Sequence, residues 1–262
     1  EAEPAVATIF SLLLSIRLVD DLLDGDPGSQ AEELGAGPTA NLALAFQAVA
    51  GQIIEAAGLS AERRAACHAV IDRAGLDTAR GQQRDLGPAA SEADYWQIVE
   101  AKTPPLICAA LALGGLFAGA PEPTVRKLFG IGVPLGKIIQ ISDDLCDVMS
   151  TEAQPDWQRP QHNLALLYAS TANHREKDRF IHLSRRAAQP EALAEAQKIL
   201  VRCGAVSYCA YQLIELDRAA RTQLVAATLP DSGPLEALLD RHLEPLEQLM
   251  RAVGVPSLTA LG

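Results

Sequence analysis

The most regular feature of the chain is the recurrence of apolar residues at helical spacing. Between residues 4 and 24 they cover most of a helix circumference, at Ala5, Val6, Ile9, Leu12, Leu13, Ile16 and Val19. A helix that is apolar nearly all round is a buried one, so this pattern predicts a central helix. It is expected to end near residues 25–28, where Gly-Asp-Pro-Gly interrupts helices.

Helical periodicity continues through the rest of the chain. Thr39 has the side chain of an N-cap and predicts a second helix to about Ala57, which Gly58 ends. A third helix is predicted from Ser60 to about Gly81, and Ser91 opens a short helix with a relaxed capping box. Later helices are predicted near residues 122–150, 162–171, 174–187, 191–224 and 234–252.

Signals for β-strands are close to absent, and no repeat of 20 to 50 residues stands out. Hydrophobic residues make up 48% of the chain and aromatic residues only 4%, a balance that favours helix packing. The 262 residues suffice for one large domain with a sizeable core. We therefore predict a single all-α domain over residues 1–262; the chain begins with Glu1 rather than Met, which leaves room for upstream residues.

The charge of the chain restricts its partners. A formal net charge of −11 argues against nucleic acid or an anionic membrane as the main partner, and an anionic substrate would need metal ions or local lysines. Five cysteines without CxxC or Cys/His spacing indicate reduced thiols. No secretion signal and no apolar run of about 18 residues free of charges and helix breakers is present. These features predict a cytoplasmic protein without a transmembrane segment.

Two aspartate clusters with the same spacing follow two apolar helical runs. The first, IRLVDDLLD, ends in Asp20, Asp21 and Asp24, and the second, IIQISDDLCD, contains Asp143, Asp144 and Asp147. Residues four apart lie on one helix face, so each cluster concentrates its carboxylates. A single cluster would be equally typical of a solvated helix end. A second copy favours a shared chemical role.

Carboxylates concentrated on apolar helices need a cation. Two carboxylates about 6 Å apart repel by roughly 0.7 kcal/mol in water and by nearly 3 kcal/mol at an effective dielectric of 20. Oxygen ligands without His or Cys favour Mg²⁺, which binds a few carboxylates together with phosphate oxygens. Two such clusters beside apolar helix faces predict a metal-bound diphosphate over a hydrocarbon pocket, a site suited to ionising an allylic diphosphate.

Two further polar segments lie near predicted helix ends. Residues 81–87, Gly-Gln-Gln-Arg-Asp-Leu-Gly, read alone as a helix terminus. Lys102 and Thr103 precede Pro104 and Pro105, which break the helix before a nearly pure apolar run. Lys102 is therefore either at the rim of a core or a surface lysine whose stem covers apolar residues, and its sequence context leaves both open.

Taken in order, four motifs give the chain a family resemblance. They are DDLLD at 20–24, GQQRDL at 81–86, Lys102-Thr103, and QISDDLCD at 140–147. With them the chain resembles the polyprenyl synthetase family, the all-trans isoprenyl diphosphate synthases. The resemblance implies a helical bundle around a central apolar cavity and a homodimer. It also implies prenyl-chain elongation: an allylic diphosphate ionises, condenses with isopentenyl diphosphate and loses a proton to the departing diphosphate.

The resemblance also implies roles for the motif residues. Asp20 and Asp24 would bind two magnesium ions and Asp143 a third. Asp21, Asp144 and Asp147 would support them through hydrogen bonds, metal-bound waters or direct ligation. Lys102 would hold the leaving diphosphate, while the Thr103 carbonyl and Gln140 would stabilise the cation. Gln82 and Asp85 would line the same cavity.

Three departures from the family pattern concern basic residues. Residues 26–37 contain no arginine or lysine where family members carry Arg-Arg-Gly, and the upstream Gly-Lys-Arg segment is not in this chain. The lysine expected after the second cluster is absent, and Arg159 stands near its place. Two alternatives therefore stay open: a class I terpene synthase that uses one allylic diphosphate, and a non-catalytic subunit of a prenyl synthase. A di-iron protein is disfavoured because no ExxH motif occurs.

The resemblance also gives a partial prediction of the length of the bound prenyl chain. The family places bulky residues four and five positions before the first cluster as a pocket floor, and here these are Ile16 and Ser15. Neither is aromatic, so the floor is expected deeper, near Leu12 or Phe10. Each buried isoprene unit contributes roughly 3–4 kcal/mol at about 0.8 kcal/mol per carbon, which would favour a farnesyl or longer substrate.

Overall fold

A computed structural model describes residues 2–25, 28–87 and 91–252. The predicted all-α fold is confirmed, since these ranges contain helices and no strand. Two short 3₁₀ helices lie at Pro155–Gln158 and Pro160–His162. The α-helices are α1 (Glu3–Asp24), α2 (Gln30–Leu34), α3 (Ala36–Ala56), α4 (Ala61–Asp85), α5 (Glu92–Lys102), α6 (Pro104–Phe117), α7 (Glu122–Met149), α8 (Leu164–Thr171), α9 (Lys177–Ser184), α10 (Pro190–Arg202), α11 (Ala205–Ala227) and α12 (Gly233–Ala252).

The chain divides into two compact units. The first unit comprises Glu1–Gln83, Glu100–Gly136 and Ala226–Leu229. The second unit comprises Arg84–Val99, Lys137–Val225 and Pro230–Gly262. The single domain stays a prediction.

Helix α1 forms one side of the core of the first unit. It packs against α3 and α6, and Leu12, Ile54 and Leu113 are fully buried there. The expectation that α1 is buried all round is wrong, because Val6 is 60% exposed and Phe10 is 56% exposed. Apolar side chains of α1 point in nearly all directions around its axis. Among the described residues, however, the neighbouring helices cover only one of its faces.

The predicted end of α1 is confirmed, and the predicted start of the next long helix is wrong. Gly25 takes a left-handed conformation with φ of 64°, and its N–H donates to the Asp21 carbonyl. Helix α3 begins at Ala36, so Thr39 lies inside it and its hydroxyl donates to the Gly35 carbonyl. The short α2, capped by Ser29, precedes it and was not predicted.

Glycines inside helices mark places where two backbones approach closely. The helix predicted to reach about Gly81 continues to Asp85, inside the segment 81–87 that was predicted to end it, so Gly81 itself lies within α4. A Cβ atom at position 81 would lie 2.5 Å from the Ala101 carbonyl oxygen. In α7, a Cβ at Gly136 would lie 2.5 Å from the Pro104 Cα atom. These glycines bring α4 and α7 against the segment that joins α5 to α6.

The second unit is built on short helices whose apolar faces meet. Helices α8, α9 and α10 pack together, with Leu166, Phe180 and Ile199 fully buried. The single helix predicted over residues 191–224 is wrong, because Gly204 adopts a φ of 90° and separates α10 from α11. A positive φ ends a right-handed helix, and glycine adopts it without a side-chain clash.

One described stretch is long and apolar enough to cross a membrane by length and composition alone. It runs over Glu92–Phe117, and 44% of its apolar window is buried within the protein. The break between α5 and α6 falls inside it. The bent pair of α10 and α11 passes the same test together. A core helix of a folded domain passes such a test too, so these stretches are weak evidence for a membrane span.

Close packing at Gly132 gives a stability prediction. A Cβ at Gly132 would lie 2.5 Å from the Cys108 Cα atom, so Gly132→Ala should lower the free energy of unfolding by about 2 kcal/mol through overpacking. The matched control is Gly114→Ala, because nothing lies within 4 Å of a Cβ there. That change should be neutral or stabilise by about 0.5–1 kcal/mol. Urea unfolding of both variants measures the difference, and equal effects would contradict the packing account.

Candidate active site

The first aspartate cluster lies in the last turn of α1. Asp20 is partly buried, and its Oδ1 atom is buried without a hydrogen-bond donor. The Lys102 Nζ lies 3.7 Å from Asp20 Oδ1. That distance allows electrostatic attraction but is too long for a hydrogen bond. The side chain of Asp24 lies outside the described part of the structure.

Asp21 has a different environment from Asp20. Its Oδ2 accepts a hydrogen bond from the Gln30 backbone N–H at 3.2 Å, and its Oδ1 lies 3.8 Å from Arg17 Nε. The carboxylate thus binds the first residue of α2. This contact fixes the chain that follows the cluster, a role suited to the supporting function predicted for Asp21.

The Lys102-Thr103 segment is held between two close backbone contacts. Lys102 is the last residue of α5, and Thr103 is the N-cap of α6, as the two prolines predict. Gly81 contacts Ala101 on one side of this segment, and Gly136 contacts Pro104 on the other. The ammonium group that reaches Asp20 is therefore mounted on a tightly packed backbone, which favours the prediction that Lys102 lies at a core rim.

Gln82 and Asp85 belong to different units. Gln82 is 6% exposed, and its Nε2 is buried without an acceptor, as is the Thr78 hydroxyl one turn earlier. Such unsatisfied donors suit an anionic ligand. Asp85 Oδ1 lies 2.6 Å from His162 Nδ1, and its backbone carbonyl accepts a hydrogen bond from Arg159. The structure thus shows Arg159, which stands near the place of the expected lysine, bound to the end of α4.

Asp144 is the most enclosed carboxylate of the second cluster. Only 2% exposed, it accepts hydrogen bonds at both oxygens. Its Oδ2 receives the Tyr95 hydroxyl at 2.7 Å and the Leu164 backbone N–H at 3.0 Å. Its Oδ1 receives the Gln140 side-chain amide at 3.0 Å. Gln140, predicted to stabilise a cation, therefore supports this aspartate as well.

Burial, complete for Asp144 and partial for Asp143 and Asp147, raises the pKa of all three aspartates in this cluster. It raises that of Asp144 to about 7, against the opposing effect of the three hydrogen bonds. It raises the pKa of Asp147 to about 6, with further repulsion from Asp156 and Asp143. The pKa of Asp143 rises by burial and is lowered in part by His242. The cluster is therefore short of positive charge.

Sequence reasoning missed three residues around this cluster. Asn163 is fully buried; its Oδ1 caps α8 and its Nδ2 donates to the Asp144 carbonyl and the Asp156 carboxylate. Tyr95 is 1% exposed and bonds Asp144 from a position 49 residues earlier. The N-cap pattern before an apolar run could have singled out Asn163, whereas no local signal connects Tyr95 or Asp156 to the cluster.

The residues predicted to set chain length lie in the first unit. Ser15 is 5% exposed and its hydroxyl lies 3.3 Å from Gln47 Oε1, while Ile16 packs against the apolar core. Leu12 is fully buried in that core. Phe10 is 56% exposed, so the expectation that it contributes to the floor is wrong. It lies on the uncovered face of α1.

A cavity of about 980 Å³ lies elsewhere in the second unit. Trp157, Ser184 and Leu193 are among the residues that line it, and none of the predicted site residues does.

The acidic residues suit a magnesium ion that shares its coordination with a ligand. No group of three His, Cys, Asp or Glu side chains among the described residues forms a metal cage by itself. Mg²⁺ is usually bound through one or two carboxylates plus water and phosphate oxygens. The buried, donor-free Oδ1 of Asp20 is a ligand atom of the required kind.

A family model described as polyprenyl synthetase matches residues 6–200. The chain belongs to this family. Among curated family members, it is 28% identical over 255 residues to the short chain isoprenyl diphosphate synthase of Methanothermobacter thermautotrophicus, covering 89% of this chain and 76% of that one. It is also 28% identical over 201 residues to the geranylfarnesyl diphosphate synthase of Aeropyrum pernix, covering 71% of this chain and 62% of that one.

A solved polyprenyl synthase shares the fold. The enzyme of Caulobacter crescentus, complexed with calcium and isoprenyl diphosphate, is 21% identical with a TM-score of 0.77, covering 92% of this chain and 77% of that one. Several matches to curated relatives cover only a small share of the relative's length. The match to component 2 of the Geobacillus stearothermophilus heptaprenyl diphosphate synthase is 45% identical over 60 residues, which is 23% of this chain and 19% of that relative.

The raised pKa of Asp147 predicts a pH-dependent effect of its removal. The folded-state pKa of about 6 exceeds the usual value of 3.8, so this group destabilises the metal-free protein increasingly as pH rises from about 4 to 6. Asp147→Asn should therefore raise the unfolding free energy at pH 8 by about 1 kcal/mol after allowance for solvent, and by much less at pH 4.5.

Urea unfolding in the presence of a chelator measures this effect. Asp178→Asn, at an exposed aspartate of α9, is the matched control and should change little at either pH. An Asp147→Asn protein no more stable than the wild type at pH 8 would contradict the electrostatic account of the second cluster.

Proposed function

We propose that this protein is a magnesium-dependent prenyltransferase that ionises an allylic prenyl diphosphate. It condenses the resulting cation with isopentenyl diphosphate to give a longer all-trans prenyl diphosphate. The observation that carries the proposal is the donor-free, buried Oδ1 of Asp20 beside Lys102, in a chain that belongs to the polyprenyl synthetase family. A metal ion at Asp20 and the ammonium group of Lys102 would together offset the negative charge of a bound diphosphate.

The acidic residues would hold the metal ions, expected to be three. Asp20 and Asp24 would ligate two and Asp143 the third, with Asp147 supporting it. Asp21 and Asp144 would act through hydrogen bonds, because Gln30 binds the first and three donors saturate the second. Bound Mg²⁺ would supply charge neutralisation of the departing diphosphate.

The remaining polar residues would manage the cation and the proton. Lys102 would bind the diphosphate as its bond to the allylic carbon breaks, so the bonding electrons leave with the diphosphate oxygen. The Thr103 carbonyl and the Gln140 amide oxygen would face the cation with partial negative charge. After the new carbon–carbon bond forms, the departing diphosphate would accept the proton that the product loses.

Partners and product length follow from the same proposal. The protein would use a farnesyl or longer allylic diphosphate. Neither Ser15 nor Ile16 is aromatic, so the floor of the chain pocket would lie deeper, at the buried Leu12. A homodimer and a cytoplasmic location stay predictions. Gln82 would add its amide N–H, buried without an acceptor, to the binding of an anionic oxygen.

A second candidate function rests on the distribution of basic residues. Segment 26–37 carries no arginine or lysine, and Arg159 is bound to the Asp85 carbonyl. Both observations weaken the case for a second diphosphate substrate. A class I terpene synthase needs a single allylic diphosphate and would be compatible with them.

Incubation of the purified protein with farnesyl diphosphate and Mg²⁺, with and without isopentenyl diphosphate, tests the proposal. A longer prenyl diphosphate formed only when both substrates are present is the expected result. A hydrocarbon or alcohol formed from farnesyl diphosphate alone would overturn elongation in favour of terpene synthesis. No product in either mixture would overturn the catalytic proposal, and altered products from an added partner synthase would then indicate a modulating subunit.

Variants of the acidic residues connect product formation to the proposed site. Asp20→Asn or Asp143→Asn should reduce turnover by at least 100-fold while circular dichroism shows an unchanged helical content, since each would lose a metal ligand. Asp178→Asn serves again as the surface control. Near-normal turnover in Asp20→Asn and Asp143→Asn would contradict the metal assignment.

A further inference from the structure

Asp144 differs from its two neighbours in the second cluster because the protein itself saturates it. Its carboxylate is 2% exposed and receives three hydrogen bonds, from Tyr95, Leu164 and Gln140. By contrast, Asp143 is exposed and Asp147 is partly exposed. The middle aspartate is therefore turned into the protein, and the other two reach its surface.

The hydrogen bonds to Asp144 also constrain Asp143 and Asp147, because the three residues lie on the same helix. Successive residues of an α-helix are rotated by about 100°, so Asp143 and Asp147 lie about 40° apart, and Asp144 is turned about 100° from Asp143 and about 60° from Asp147. Rotation of the end of α7 about its axis would move all three together. Anchoring Asp144 inside the protein thus fixes the direction in which Asp143 and Asp147 project.

Tyr95 is the side chain from another helix that completes this anchor. It lies on α5, is 1% exposed, and its hydroxyl donates to Asp144 Oδ2 at 2.7 Å. Gln140 lies one turn before Asp144 on α7 itself and cannot fix the rotation of that helix. The other external donor is the Leu164 backbone N–H, which no side-chain substitution removes.

We propose that Tyr95 is a positioning residue for the second aspartate cluster, acting through Asp144 to aim Asp143 and Asp147 at the metal-bound diphosphate. The inference rests on the proposed function, because it assigns the metal ligation to the outer aspartates. This positioning role differs from that of a hydrogen bond that only stabilises the fold. Loss of such a bond would lower the melting temperature and leave the metal requirement unchanged.

Tyr95→Phe tests the proposal, since it removes one oxygen atom and keeps the ring. Calorimetric titration with inorganic pyrophosphate at a series of Mg²⁺ concentrations measures the Mg²⁺ needed for half-maximal binding. We expect about a tenfold increase for Tyr95→Phe, the effect of losing one hydrogen bond to a charged group. Tyr211→Phe, at a tyrosine that is 57% exposed, is the matched control and should not change it.

Two aspartate variants separate this inference from the function it rests on. Asp144→Asn keeps an oxygen acceptor for Tyr95 and should weaken Mg²⁺-dependent pyrophosphate binding less than Asp143→Asn does. A wild-type Mg²⁺ requirement in Tyr95→Phe, with Asp143→Asn impaired, would overturn the positioning role alone. Wild-type binding in Asp143→Asn would overturn the proposed metal site itself. A fall in melting temperature alone in Tyr95→Phe would identify a merely structural hydrogen bond and also overturn the role.

Discussion

Carboxylates gathered at the C-terminal ends of two apolar helices are the constraint on which the site depends. Helix α1 ends in Asp24, α7 carries Asp147 in its last turn, and neither helix has a basic residue in its last turn. Negative charge there opposes the helix dipole, and burial adds a desolvation cost that raises the pKa of Asp143, Asp144 and Asp147. This unfavourable charge is the physical basis for the proposal that an external cation binds here.

The protein satisfies some of these carboxylates and leaves others open. Asp144 accepts hydrogen bonds from three donors, and Asp21 binds the start of α2. Asp20 keeps a buried oxygen without a donor, at 3.7 Å from Lys102. A carboxylate whose oxygens accept hydrogen bonds can hold backbone in place. A carboxylate with an oxygen that has no donor remains available to bind a cation. The close contact at Gly81 fixes the segment that carries Lys102 in the same way, through backbone packing.

Local features of the fold were predictable from sequence, and features that depend on distant contacts were not. The end of α1 at Gly25 and the break before Pro104 follow from backbone preferences that a few residues determine. The continuation of α4 through Gly81 has no local signal, because the Ala101 backbone that this glycine accommodates is 20 positions away. The motifs identified the aspartates and the family. The bond between Tyr95 and Asp144 joins residues 49 positions apart, and no periodicity reports it.

The central claim is that the acidic residues hold a diphosphate only through a divalent cation. Calorimetric titration of the wild-type protein with inorganic pyrophosphate, in Mg²⁺ and in a chelator, tests it most directly. The account predicts saturable binding with Mg²⁺ and no measurable binding without it, because a chain of net charge −11 repels a bare polyanion. Equal binding of pyrophosphate in the two solutions would contradict the account.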